Sequence, residues 1–187
     1  MIKGKLIDIL ENFSESEFRD FGKYVNSPYF NSNNKLTVTY GYFRKYFNKF
    51  SHSGFTKECL YNEVFPGTAY RDSETRKLLS GLTKLAEGFL MQIAYDNDKF
   101  EKDINLAGMF IGKNNLIHAE RLIQALEKVS SEEKINGQHY FYNMMQVQIK
   151  KKSIEIKKES FQTRDFAEDN INIFLLCYFI SFSIKIV

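Results

Sequence analysis

The sequence predicts an all-α protein, and three observations carry that prediction. Only 2 prolines and 10 glycines punctuate 187 residues, which favours long helices over a strand-and-turn architecture. Apolar residues recur at i, i+3, i+4 and i+7 along much of the chain, the spacing of helices buried along one face. Residues 57–93 combine both signals as a short helix, a tight corner and a long amphipathic helix. In the long helix Leu78, Leu79, Leu82, Leu85, Ala86, Phe89, Leu90 and Ile93 form one stripe. The predicted organisation is an N-terminal helical bundle over residues 1–96 and helical hairpins over residues 97–187.

The elements follow in order. Residues 2–13 place Ile2, Leu6, Ile9, Leu10 and Phe13 on one helical face. Ser14 and Glu17 have the spacing of a capping box, so a second helix starts there. It buries Phe18, Phe21, Tyr24 and Val25 and ends near Asn26, because Ser27 precedes Pro28 and is pushed out of the α region. Residues 26–34 are a loop of turn-forming residues, with Tyr29 and Phe30 predicted to plug the end of the helical layer. Residues 35–50 resume a helix with Leu36, Tyr40, Phe43, Phe47 and Phe50 inward and Arg44, Lys45 and Lys49 in solvent. Thr56 caps the short helix of the central stretch. Pro66 and Gly67 stop it near Val64, and Asp72 and Ser73 cap the long one.

Asp96, Asn97 and Asp98 make the next turn. Residues 100–111 and 116–129 then form a helical hairpin with Leu106, Ala107, Phe110, Leu116, Ala119, Ile123 and Leu126 at its seam. This pattern resembles one tetratricopeptide repeat, in which small and large apolar residues lock two antiparallel helices together. Residues 139–159 read as a long helix with an apolar start at Phe141, Met144 and Met145 and a basic end at Lys150, Lys151, Lys152, Lys157 and Lys158. The last stretch, residues 171–187, is almost wholly apolar. It is expected to be a packing helix that promotes self-association, with a membrane anchor as the alternative. Its 17 residues, interrupted by Asn172, Ser181, Ser183 and Lys185, fall short of the ~20 that a bilayer crossing needs.

Composition narrows the function without naming one. A net charge of +3 does not mark the whole chain as a nucleic-acid binder. The 18 Phe and 11 Tyr are packing units before they are anything else. Cys59 and Cys177 fit no metal or redox spacing and suit a reducing compartment. The first helix carries Asp8 and Glu11 and lacks the apolar core of a signal peptide, so the expected location is cytoplasmic. His52, His118 and His139 share no metal-ligand spacing. There is no phosphate loop and no nucleophile elbow. No catalytic, cofactor-binding or metal-binding residue is therefore predicted. One basic set stands out, Arg71, Arg76, Lys77 and Lys84, on or near the long helix where a helix-turn-helix reader would meet phosphates. Asp72, Glu74 and Glu87 dilute it.

Three segments together carry a family resemblance: FRDFGKYVNSPYFN at residues 18–31, LYNEVFPGTAY at 60–70, and RKLLSGLTKL at 76–85. They resemble a family of uncharacterised helical proteins from Bacteroidota. The resemblance spans most of residues 1–130. It implies a helical fold and no assigned activity, so no functional residues carry over. Members are longer, with charged residues where this chain has Cys177, Tyr178 and Phe179, which implies a truncated or frame-shifted end. The corner and long helix are also similar to winged-helix domains that precede helical repeats in some bacterial regulators. The expected function is a non-enzymatic scaffold that binds another protein. A DNA-binding regulator using residues 57–93 and a protein tethered through residues 171–187 are the alternatives.

Overall fold

A computed structural model describes residues 2–132 and 138–159, the side chains of residues 129–139 excepted. Among the described residues every regular element is an α-helix. They run α1 (Lys5–Glu11), α2 (Glu15–Asn26), α3 (Asn34–Lys45), α4 (Lys57–Val64), α5 (Asp72–Asn97), α6 (Lys99–Gly112), α7 (Leu116–Glu132) and α8 (Gln138–Glu159). The chain separates after Ala94 into two compact units. The apolar stretch 171–187 lies outside the described residues.

In the first unit, local chemistry sets the helix ends. The Ser14 hydroxyl accepts from the Glu17 amide, and the Glu17 carboxylate accepts from the Ser14 amide at 2.8 Å. This reciprocal box starts α2. Thr56 caps α4 through the Cys59 amide at 3.1 Å, and Gly67 takes the corner with φ of 75°, a conformation L side chains resist. Asp72 is not a cap: it is the first residue of α5, and its carboxylate binds Lys57, Tyr70 and Arg76 instead. The α3 helix is shorter than the apolar pattern suggests. It stops at Lys45, and Asn48 adopts φ of 60° just beyond, so Phe50 enters the core from a turn.

The core of this unit is built from rings. Phe21 meets Phe13, Tyr40 and Phe89 at centroid distances of 5.8, 5.7 and 5.6 Å. From the loops come Phe50 and Phe55, both against Phe43. Tyr42 is buried with them, and its hydroxyl donates to the Gly54 carbonyl at 2.9 Å and accepts from the Thr56 amide at 3.1 Å. The α5 helix contributes Thr75, Leu78, Leu82, Ala86 and Phe89 as buried residues, while Leu90 leaves the stripe for solvent. Tyr29 does not plug the layer; it is 87% exposed, and only Phe30 returns, stacking on Tyr24 at 4.0 Å.

In the second unit α6, α7 and α8 pack against one another in all three pairings. The α6–α7 connection turns at Asn114, φ 60°. The seam is Ile104, Ala107 and Ile111 against Ala119, Ile123 and Leu126, closed by Val147 and Ile154 of α8. Leu106 belongs to the opposite face and is 43% exposed. Two overlapping apolar stripes run along α6, and the one through Ile104 and Ile111 turns inward. On α8 the apolar start is not the core: Phe141 is exposed, Met144 and Met145 are half-buried, and Val147 and Ile154, seven residues apart, are the buried pair.

Candidate functional site

The basic residues of the corner and long helix divide. Arg76, Lys77 and Lys84, with Ser80 and Gly81, line one shallow depression on α5, and Arg71 is not part of that lining. The spacing explains the grouping: residues 76, 80 and 84 are successive i+4 neighbours, with 77 and 81 beside them. Their charge is largely answered within the same helix. Arg76 binds Asp72 at 2.5 Å and Lys77 binds Glu74 at 2.8 Å. Hydrogen bonds from Lys57, then Tyr70 and Arg76, hold the Asp72 carboxyl below its usual range, and the Lys77 bond does the same for Glu74. This face is a chain of alternating charges over one side of α5.

A second concavity lies between α2 and α3, with a volume of about 470 Å³. The two helices pack against each other. Phe18, early in α2, stacks on Phe47, just past the end of α3, at 3.9 Å. Tyr40, within α3, meets Gly22, further along α2, so the helices run antiparallel. One wall is the α2 ridge of Glu15, Arg19, Gly22, Lys23 and Asn26, and the other is Tyr40, Arg44 and Phe47 of the α3 side. Gly22 is the reason the walls meet: a Cβ there would lie 2.4 Å from the Tyr40 Oη, inside any tolerable contact. With no side chain in the way, the Tyr40 hydroxyl reaches the Phe18 carbonyl and donates to it at 3.0 Å. Burial raises the pKa of the Tyr40 phenol above its ordinary value.

The rim of this groove is cationic. Arg19, Lys23 and Arg44 stand against one carboxylate, Glu15. Lys23 is paired with Asp20 at 2.7 Å, which pulls the Asp20 carboxyl below its usual range. Arg19 and Arg44 are exposed and form no ion pair among the described residues. The sequence pattern placed Arg44 on a solvated face and gave no reason to pair it with Arg19, since 25 positions of chain separate them and only antiparallel packing joins them.

Elsewhere the described chemistry is quiet. No group of three or more His, Cys, Asp or Glu among the described residues is placed to hold a metal ion. No buried side-chain nitrogen or oxygen among them lacks a hydrogen bond. The His52 Nδ1 accepts from the Gly54 amide at 3.0 Å, a local turn contact, and Cys59 is an exposed free thiol. No described helix is long and apolar enough to cross a membrane. Comparison with protein-family models, with curated proteins and with solved structures finds no match to this chain.

Proposed function

We propose that this chain is a non-enzymatic helical module that binds another polypeptide, and that the α2–α3 groove of its first unit is the binding surface. The observation that carries the proposal is the groove's make-up: an aromatic floor edged by the half-buried Phe47, and at the rim two exposed arginines with no ion pair among the described residues. Aromatic and Arg side chains are enriched where proteins meet, because they supply contact area and directional hydrogen bonds together. We also read α6–α8 as the start of a repeat-like array, on the support of Ala107 and Ala119, whose small side chains let α6 and α7 approach. The DNA-binding alternative through residues 57–93 has weaker support, because Arg76 and Lys77 already answer Asp72 and Glu74.

The test is site-specific photo-crosslinking of the full chain in cells. A benzophenone amino acid is placed at Lys23 or Arg44, and at Lys113 of the second unit as the control. A discrete adduct of polypeptide mass from the two groove positions, absent from the control, is the expected result. Equal adducts from all three positions, or none from the groove, would contradict the proposal.

A further inference from the structure

We infer that the partner of the α2–α3 groove is an acidic amphipathic helix, one that lays an apolar side chain against the half-buried Phe47 and sets carboxylates against Arg19 and Arg44; the inference rests on the polypeptide-binding reading above. Charge complementarity is the first argument. Three cations and one carboxylate line the groove, and the two unpaired cations are both guanidinium groups on opposite walls. A guanidinium presents a planar fork of donors that matches a carboxylate at two atoms. Length is the second. The α2 wall runs the 12 residues from Glu15 to Asn26, about 18 Å at 1.5 Å per residue, and the facing wall runs from Tyr40 to Phe47. That accommodates about three turns of a partner helix, the helix-in-groove mode of recognition.

The arrangement of the rings argues against a nucleic-acid strand, the other partner a basic aromatic groove could take. Single strands are held by stacking bases on open ring faces. Here the faces are already covered: Phe18 is 3% exposed and lies between Phe47 at 3.9 Å and Tyr40 at 5.2 Å, both near parallel to it. Tyr40 is itself 6% exposed. What remains open on the floor is part of Phe47, which is half-buried with one face already stacked on Phe18, a surface for an aliphatic side chain and not for a run of bases.

The test is fluorescence anisotropy on the full chain with four labelled probes. They are a helix-forming peptide of about 14 residues with leucines at i and i+4 flanked by glutamates, the same peptide with lysines for glutamates, the same with alanines for leucines, and a thymidine oligonucleotide of equal length. Binding of the Glu/Leu peptide is expected, at least about tenfold tighter than either altered peptide or the oligonucleotide, and weakened as salt rises because the pairs are partly exposed. The double variant R19E/R44E should lose at least about tenfold in affinity with an unchanged circular-dichroism melt, and R19Q/R44Q should lose less. Lys113→Glu should change nothing. Preference for the lysine peptide or the oligonucleotide, or an unchanged affinity in R19E/R44E, would overturn the inference. If the Glu/Leu peptide fails while Lys23 and Arg44 still crosslink to a polypeptide, the partner class named here is wrong and the binding reading stands. Failure of both removes the binding reading itself.

Discussion

The two units bury apolar surface with different materials. Phe13, Phe18, Phe21, Tyr40, Tyr42, Phe43, Phe50, Phe55 and Phe89 all sit in the first core. The second is aliphatic, with Ile104, Ile111, Ile123, Leu126, Val147 and Ile154 around two alanines. Its described aromatics are partly or well exposed, as at Phe110 and Phe141. Rings pack edge-to-face or offset and so constrain one another's orientation, and two of the tyrosines also bind backbone through their hydroxyls. An aliphatic seam carries less directional information, and both units carry cross-helix ion pairs, such as Lys5 with Glu87 and Lys45 with Glu63 in the first and Lys151 with Glu127 and Lys158 with Glu120 in the second. The difference predicts that the first core is the stiffer of the two, since interlocked rings resist rearrangement. Under the proposed reading, a groove floored by such rings would lower the cost of ordering on binding.

The largest expected effect comes from breaking the ring network. Phe21→Ala should cost about 3–5 kcal/mol, since the side chain is fully buried and its contacts with Phe13, Phe18, Tyr40 and Phe89 are lost. Leu82→Ala, in the α5 stripe, should cost about 2–5 kcal/mol. The matching truncation in the second unit, Ile123→Ala, should cost about 2–5 kcal/mol and less than Phe21→Ala. Chemical denaturation followed by circular dichroism measures all three, and an Ile123→Ala loss larger than that of Phe21→Ala would undo the contrast.

A second pair of tests concerns the tyrosine hydroxyls. Tyr42→Phe should cost about 0.5–1.5 kcal/mol, because the Gly54 carbonyl loses a donor and the Thr56 amide keeps only its 3.1 Å bond to the Gly54 carbonyl. Burial pushes the Tyr42 phenol up to about 12, whereas an unfolded tyrosine titrates near 10. The unfolded chain therefore releases this proton first, and the contribution is intact below about pH 10 and lost as pH rises to about 12. Denaturation midpoints between those values should fall more steeply in the native chain than in Tyr42→Phe, and equal slopes would remove the assigned burial.

Smaller still are the surface contributions. Ser14→Ala removes the capping box of α2 and should cost about 0.5–2 kcal/mol. Lys151→Met in the second unit should cost no more than about 1 kcal/mol and should matter less at high salt. A loss well above that would mean the second unit leans on its ion pairs more than on its seam.

What could be read from the sequence was whatever local chemistry decides. Ser14 with Glu17, Thr56, and the Pro66–Gly67 corner are each a short-range signal, and the structure uses each as read. The stripe of α5 was legible because one face repeats for several turns. Features set by long-range packing were not. Phe55 lies in a loop with no periodicity to mark it, yet it is fully buried among Tyr42, Phe43 and Phe50. Leu106 and Ile104 both belong to plausible stripes of α6, and only the placement of α7 and α8 selects between them. The candidate groove is the extreme case. Arg19 and Arg44 each look like ordinary solvated residues, and Gly22 like a weak point in a helix. Their meaning appears once Tyr40 is laid across the glycine.

The central claim, that the aromatic unit is the rigid platform and the aliphatic unit the softer one, is tested most directly by native-state hydrogen exchange of the full chain, read by mass spectrometry. The slowest amides should fall in α2, α3 and α5 through Phe89, with α6, α7 and α8 opening at lower free energy. Protection in α6–α8 equal to or greater than that in α2 and α3 would contradict it.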